Sequence, residues 1–227
     1  MRDGLLYNDE EDVVKYPLCQ RWAKIINLFM FVVHFVLLIA FGVTEVIPMV
    51  LVNIVSLFIY MGLLPRLQNY PKLYMSVLYW EIITHMGLAI YYAGWHCGFQ
   101  MYAFFLIPFA FYADYVLIED EAPTVNPLVV AIISFVVYGL TWVFFEFMDI
   151  SQNQVSFREG SVLFILNTLG LMVALIAITH VFLERILDNA RKMTRTAEYD
   201  ELTGLANRHQ IDKLLKLHDI GGSTGEE

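Results

Sequence analysis

Charge is the scarcest ingredient of this chain: only 16% of its 227 residues are Asp, Glu, Lys or Arg, against 58% that are hydrophobic. Soluble globular domains average about 25% charged and about 45–50% apolar residues, so a water-soluble fold with a fully polar surface is excluded. Positive charge is scarcer still, with 14 basic residues against 23 acidic ones and a net charge of −9. A surface that neutralises nucleic-acid phosphates needs the opposite balance, and no nucleic-acid partner is expected. Cysteine is nearly missing, and Cys19 and Cys97 are too few to build a disulfide framework. A cleavable signal peptide is missing too. The chain opens with Asp3, Asp9, Glu10, Glu11 and Asp12 rather than with a short apolar region ending at small residues, so its first apolar segment is expected to anchor it.

What the chain has instead is six long apolar stretches, at residues 25–43, 46–64, 73–94, 98–118, 127–145 and 161–183. Each approaches or exceeds the roughly 20 residues a helix needs to cross a bilayer core. Runs such as Phe29-Met30-Phe31-Val32-Val33 and Val143-Phe144-Phe145 carry no polar face, which a soluble helical bundle would require. The expected fold is all-α, a polytopic six-helix transmembrane bundle with the lipid bilayer as its partner. Basic residues cluster before the first stretch (Arg21, Lys24), between the second and third (Arg66, Lys72) and after the sixth (Arg185, Arg191, Lys192, Arg195). The other side holds only Arg158, so the excess of positive charge places both termini in the cytoplasm. Most connections are short, predicting antiparallel neighbours, and Pro48 and Pro108 predict kinks in the second and fourth spans.

Ionisable groups inside lipid are costly and tend to face a partner, a cavity or a site. Glu81 and His85 stand four apart on the third span, on one helix face, where carboxylate and imidazole can pair. The pair suits a site responsive to a proton, a small molecule or a lipid; it equally suits two groups that satisfy each other and pin helix packing. His34 and His85 fall at similar depth, a placement open to a bis-histidine haem or to hydrogen bonds between helices. His180 falls in the last turn of the sixth span, where an imidazole meets the helix dipole. Gly94-Trp95-His96-Cys97-Gly98-Phe99-Gln100-Met101-Tyr102 joins the third and fourth spans. His96, Cys97 and Met101 are donors suited to a soft metal such as copper, whereas Trp95 and Tyr102 fit an interfacial aromatic belt and the glycines a sharp turn. Glu81, His85, Trp95, His96, Gln100 and Tyr102 are therefore the candidate sensing residues. Adding Asp114 to Glu81 and His85 gives the polar content of a small transporter or channel. Cys97 and Cys19 fall on opposite sides of the bilayer, which leaves Cys97 open to a bridge between chains.

After residue 183 the sequence turns charged. Ile186, Ala190, Met193 and Ala197 recur at spacings of 4, 3 and 4, a short heptad seam in a linker at 184–198. The seam would pair two copies in parallel through the sixth helix and the linker; alternatively Arg191, Lys192 and Arg195 would lay the same helix on anionic lipid. A break at Gly204 and a new helix from Asn207, with Gln210 in the capping-box position, complete a helix–turn–helix junction. Asp200, Leu202, Thr203, Gly204, Leu205, Asn207 and Arg208 match D-x-L-T-G-L-x-N-R at all seven specified positions. This run resembles the entry signature of the GGDEF family of diguanylate cyclases.

The resemblance implies a bacterial inner-membrane receptor with a membrane input region, a dimerising linker and a cytoplasmic cyclase that condenses two GTP into cyclic di-GMP with magnesium. It covers only the entry. Nineteen residues follow Arg208, and Gly221-Gly222 precedes Ser223 rather than an acidic residue. No catalytic, cofactor-binding or metal residue is carried over: magnesium and GTP are expected only for a cyclase domain missing from this chain, which is expected to be inactive alone. The membrane region is also similar in architecture to six-helix regions preceding some GGDEF proteins and some adenylyl cyclases. The organisation read from sequence is a cytoplasmic segment at 1–24, a six-helix sensor and anchor at 25–183, the linker at 184–198, and at 199–227 the truncated start of a GGDEF domain, with the first helix of a missing α/β cyclase fold.

Overall fold

The computed structural model of the chain describes residues 16–147 and 155–199, together with 205, 207 and 211. It comprises α1 (Pro17–Val43), α2 (Ile47–Phe58), which continues through a π-helical turn (Ile59–Leu63) into the short α3 (Leu64–Arg66), α4 (Pro71–Ala93), α5 (Met101–Glu119), α6 (Pro127–Phe147) and α7 (Phe157–Glu198). No strand occurs among the described residues. Among the described residues six segments are long and apolar enough to cross a bilayer, with α2 and α3 forming one of them. The chain is a multi-pass membrane protein with an all-α bundle, as the apolar pattern predicts.

Local chemistry sets the helix ends. Pro17, Pro71 and Pro127 open α1, α4 and α6, where a fixed φ suits the first turn and the missing N–H would have had no partner. Asn126 caps α6, its Oδ1 accepting from the Leu128 N–H at 2.9 Å. Ser156 and Glu159 form a capping box at α7, with the Ser156 hydroxyl donating to Glu159 Oε2 at 2.6 Å. Gly94 (φ 105°) ends α4, and Gly98 (φ 84°) turns the chain into α5. Both conformations strain any residue with a Cβ, and a Cβ on Gly98 would also come within 3.1 Å of Phe164 Cα.

One expectation about proline and one about His180 need correcting. Pro48 lies in the first turn of α2, where no carbonyl waits for its missing N–H, so it makes no kink. The irregularity falls instead at the π turn just before Pro65. A proline there cannot donate to the preceding turn and its ring crowds that carbonyl, so the backbone widens and the Leu64 N–H reaches Ile59 O, five residues back. The sixth span and the linker form one 42-residue helix, α7. His180 is consequently an interior helical residue, 3.7 Å from Glu184, and not a terminal one.

The chain divides into two compact units, Met1–Leu175 and Ile176–Glu227. In the first, α1 packs on α2, α5 on α6, and α4 touches α2, α5 and α6. Helix α4 is the centre, burying residues all round its circumference from Pro71 to Ala93, whereas α6 buries only Val130 and Ser134. Ala89 and Ala93 on α4 and Ala103, Ala110 and Ala113 on α5 are among the buried residues, and such small side chains let helices approach closely where lipid removes any hydrophobic drive to associate. Phe29, Phe35, Phe58 and Phe135 point outward, as lipid-facing residues do. In the second unit, α7 exposes Ile186, Leu187 and Met193 alongside the Asp188–Arg191 ion pair at 3.3 Å.

Candidate functional site

The most buried helix carries the most expensive side chain. Glu81 sits midway along α4 and is held by groups from the two helices on its flank. The Ser56 hydroxyl of α2 donates to Oε1 at 2.6 Å, and the Tyr60 hydroxyl, presented by the π turn, donates to Oε2. His34 of α1 places Nε2 3.2 Å from Oε1, an ion-pair distance without the alignment of a hydrogen bond, with both side chains almost fully buried. The other ring nitrogen of His34, Nδ1, lies 2.8 Å from the Met30 carbonyl. His85, one turn beyond Glu81, stands edge-on to His34 with ring centroids 4.8 Å apart, and its Nε2 is buried without a hydrogen-bond partner.

This geometry corrects the expected pairing. Glu81 and His85 share a face of α4, but the carboxylate takes its hydrogen bonds from Ser56 and Tyr60 and its close imidazole from His34. The proximity of His34 to His85 also removes the haem reading, because two rings in edge contact at 4.8 Å leave no room for a macrocycle between them. Asp114 is not among the residues lining the cavity at this site, so the trio offered for a transporter is not assembled there.

A cavity of about 10 Å³, roughly the space of one water, adjoins the cluster and is lined by His34, Glu81, His85 and Tyr102 among others. Tyr102, at the start of α5, connects the cluster to the last helix. Its hydroxyl donates to Asn167 Oδ1 of α7 at 3.3 Å, and the Asn167 amide donates to the Cys97 carbonyl at 2.9 Å. Phe99 fills the remaining gap, stacking on Tyr102 and Phe41 and meeting His85 edge-on at 6.4 Å.

The remaining candidates belong to the α4–α5 connection. Trp95 packs its ring on Tyr138 and Phe145 of α6. His96 Nε2 is 3.1 Å from Val155 O, and Gly160 lies so close beneath it that a Cβ there would overlap the imidazole. Gln100 is buried, with Oε1 unpartnered. The Cys97 thiol donates to Ala93 O at 3.3 Å and has no exposed surface, which corrects its expected availability for an intermolecular bridge. Burial pushes this thiol up to about 12, so it stays protonated at neutral pH. Among the described residues no group of three or more His, Cys, Asp or Glu side chains is arranged to hold a metal ion.

Ser56, Tyr60 and Asn167 are the residues of the cluster that sequence reasoning missed, and His34, singled out for its depth, was not paired with Glu81. A signal existed: Asn27 and His34 on the first span, and Asn53, Ser56 and Tyr60 on the second, recur at helical spacing and all turn inward. Such a polar stripe on an otherwise apolar helix marks the face turned to the protein.

In the second unit the four seam residues Ile186, Ala190, Met193 and Ala197 are all exposed along α7. Of the entry motif, Leu205 and Asn207 are described, whereas Asp200, Leu202, Thr203, Gly204 and Arg208 lie outside the described residues, as does Gln210. The Asn207 carbonyl accepts from the Ile211 N–H at 3.0 Å. The residue's side-chain amide donates back to Ala197 O, and its backbone N–H to Glu198 O at 2.9 Å, so it satisfies carbonyls at the end of α7. No family model, curated protein or solved structure matches this chain.

Proposed function

We propose that the chain is the membrane input module of a bacterial GGDEF-type receptor. In this reading it is a multi-pass inner-membrane protein with both termini in the cytoplasm. It relays a stimulus through α7 to a cyclic di-GMP-forming domain that these 227 residues do not contain. The observation that carries the proposal is the pairing of two features on α7. One end is hydrogen-bonded through Asn167 to Tyr102, a wall of the buried polar cavity, and the seven-residue entry signature follows directly after the other.

A relay needs an input group whose occupancy differs between two states and an element that both states bias. The His34–Glu81–His85 cluster supplies the first, at a depth where only a proton, a water or a small ligand would reach it. Helix α7 supplies the second, since any shift of Tyr102 changes its bond to Asn167. The exposed seam of Ile186, Ala190, Met193 and Ala197 then gives two copies a parallel contact, so that a displacement of α7 alters how the output domains face each other. The module contributes no catalytic residue, and magnesium and GTP belong to the output domain.

The test is a receptor in which an intact GGDEF domain continues from Arg208, with cyclic di-GMP measured in cells at matched membrane levels. Tyr102→Phe and His85→Gln are expected to change the response to stimulus while leaving a folded, active cyclase. Identical output from both variants and the parent under every condition tried would sink the reading.

A further inference from the structure

The contact between His34 and Glu81 raises a question of proton count. His34 Nδ1 is 2.8 Å from the Met30 carbonyl, an atom that can only accept, so Nδ1 carries a hydrogen. Nε2 is then a bare lone pair if the ring is neutral. It lies 3.2 Å from Glu81 Oε1, a carboxylate oxygen also bearing lone pairs, with both side chains nearly excluded from solvent. Two lone pairs at that separation repel, and the pair would bury a full negative charge with no Lys or Arg among the cavity-lining residues. One additional proton resolves both problems. It makes either an imidazolium beside a carboxylate or an imidazole beside a carboxylic acid, and each is neutral overall.

We propose that His34 and Glu81 form a buried proton-binding site, in which one exchangeable proton is held at His34 Nε2 against the Glu81 carboxylate and exchanges through water admitted to the cavity that both residues and His85 line. The surrounding groups suit such a site. From α2 and its π turn, Ser56 and Tyr60 donate to the carboxylate and keep it oriented, leaving its remaining acceptor capacity toward His34. From α4, His85 lines the same cavity and has an unpartnered Nε2, a ready partner for the one water that the cavity has room for. From α5, Tyr102 lines the opposite wall, adding a hydroxyl and no charge. The step is a proton transfer: an O–H bond of hydronium breaks as the bond to the pair forms, leaving water, and the reverse returns the proton to solvent with no other bond changed. This inference stands on side-chain geometry and does not require the signalling reading.

The experiment uses the full chain in lipid nanodiscs with nitrogen-15-labelled histidine, compared with Glu81→Gln and His34→Gln. Gln at 81 is nearly isosteric, and its amide can donate to Nε2 in place of the proton, so this variant retains the fold while losing the site. The expected native spectrum shows one ring, absent from His34→Gln, with Nδ1 protonated and Nε2 protonated or strongly hydrogen-bonded at neutral pH. Titration toward alkaline pH is expected to release about one more proton per chain from the native protein than from Glu81→Gln, counted for the coupled pair as a unit. A His34 ring whose Nε2 is a free lone pair, or proton-release curves that superimpose, would overturn the proposal. Where His34→Gln fails to fold, the Glu81→Gln difference alone decides. A negative result leaves the restored-cyclase experiment untouched, so the two readings fail separately.

Discussion

Replacing Glu81 by alanine removes the acceptor shared by Ser56, Tyr60 and His34, and the structure allows the cost to be worked out. Ser56 can recover by donating to the carbonyl four residues back, as Ser134 does toward Val130 O at 2.8 Å. Tyr60 is about 2% exposed and fixed by the π turn, and His34 is about 2% exposed and pinned by Met30, so neither can turn to water. Each buried polar group left unsatisfied costs about 1–3 kcal/mol in a soluble protein, but hydrogen bonds between membrane helices average only about 0.6 kcal/mol because the separated helices find other partners. The two orphaned groups together therefore cost about 2–4 kcal/mol, a drop of roughly 30- to 1000-fold in the folded-to-unfolded ratio. Glu81→Gln preserves a donor toward His34 and an acceptor toward Tyr60, and should stay within about 1 kcal/mol of the parent. The assay is reversible unfolding in mixed micelles followed by tryptophan fluorescence. Alanine and glutamine variants of equal stability would refute the claim that Glu81 is the acceptor that holds α1, α2 and α4 together.

Three further predictions follow from neighbouring geometry. Asn167→Ala removes the bridge from Tyr102 to the Cys97 carbonyl and should cost about 1–2 kcal/mol; micelle unfolding measures it, and Asn167→Asp, which keeps the acceptor toward Tyr102 but not the donor, should fall between the two. Gly98→Ala forces a Cβ residue to φ 84° against Phe164 and should cost about 1–3 kcal/mol, read as a lowered thermal midpoint. The Cys97 thiol, protonated up to about 12 and fully buried, should resist maleimide labelling in intact membranes from pH 6 to 9, and should react quickly once the protein is unfolded in SDS. Labelling rates that rise steeply across that range in the folded protein would show a thiolate the structure does not allow.

The helices were legible because bilayer thickness imposes a length on each of them: the apolar stretches agree with four of the six spans to within a few residues at both ends. The exceptions have local causes. Helix α1 begins at Pro17 rather than residue 25, since charged Arg21 and Lys24 sit comfortably on a helix end outside the apolar core. Helix α7 runs on to Glu198 because nothing between 183 and 198 breaks a helix, however sharply the composition changes. Glu81 and His85 were legible as a costly pair for the same reason that any intramembrane charge is. Their partners were not, because helical spacing reports which residues share a face and is silent about which face of another helix meets it. That His34 rather than His85 approaches the carboxylate follows from how α1 and α2 pack on α4, and the π turn that aims Tyr60 inward depends on Pro65 five residues later.

The central claim is that α7 leads into a cyclase domain. It is tested most directly by reading the nucleotide sequence for roughly 500 bases past codon 227 in all three frames, the length that encodes a domain of about 150 residues. The account predicts a metal-binding aspartate followed by a Gly-Gly-Asp/Glu-Glu-Phe turn, continuous with the D-x-L-T-G-L-x-N-R run or displaced from it by a frameshift. A downstream sequence with neither feature in any frame would contradict it.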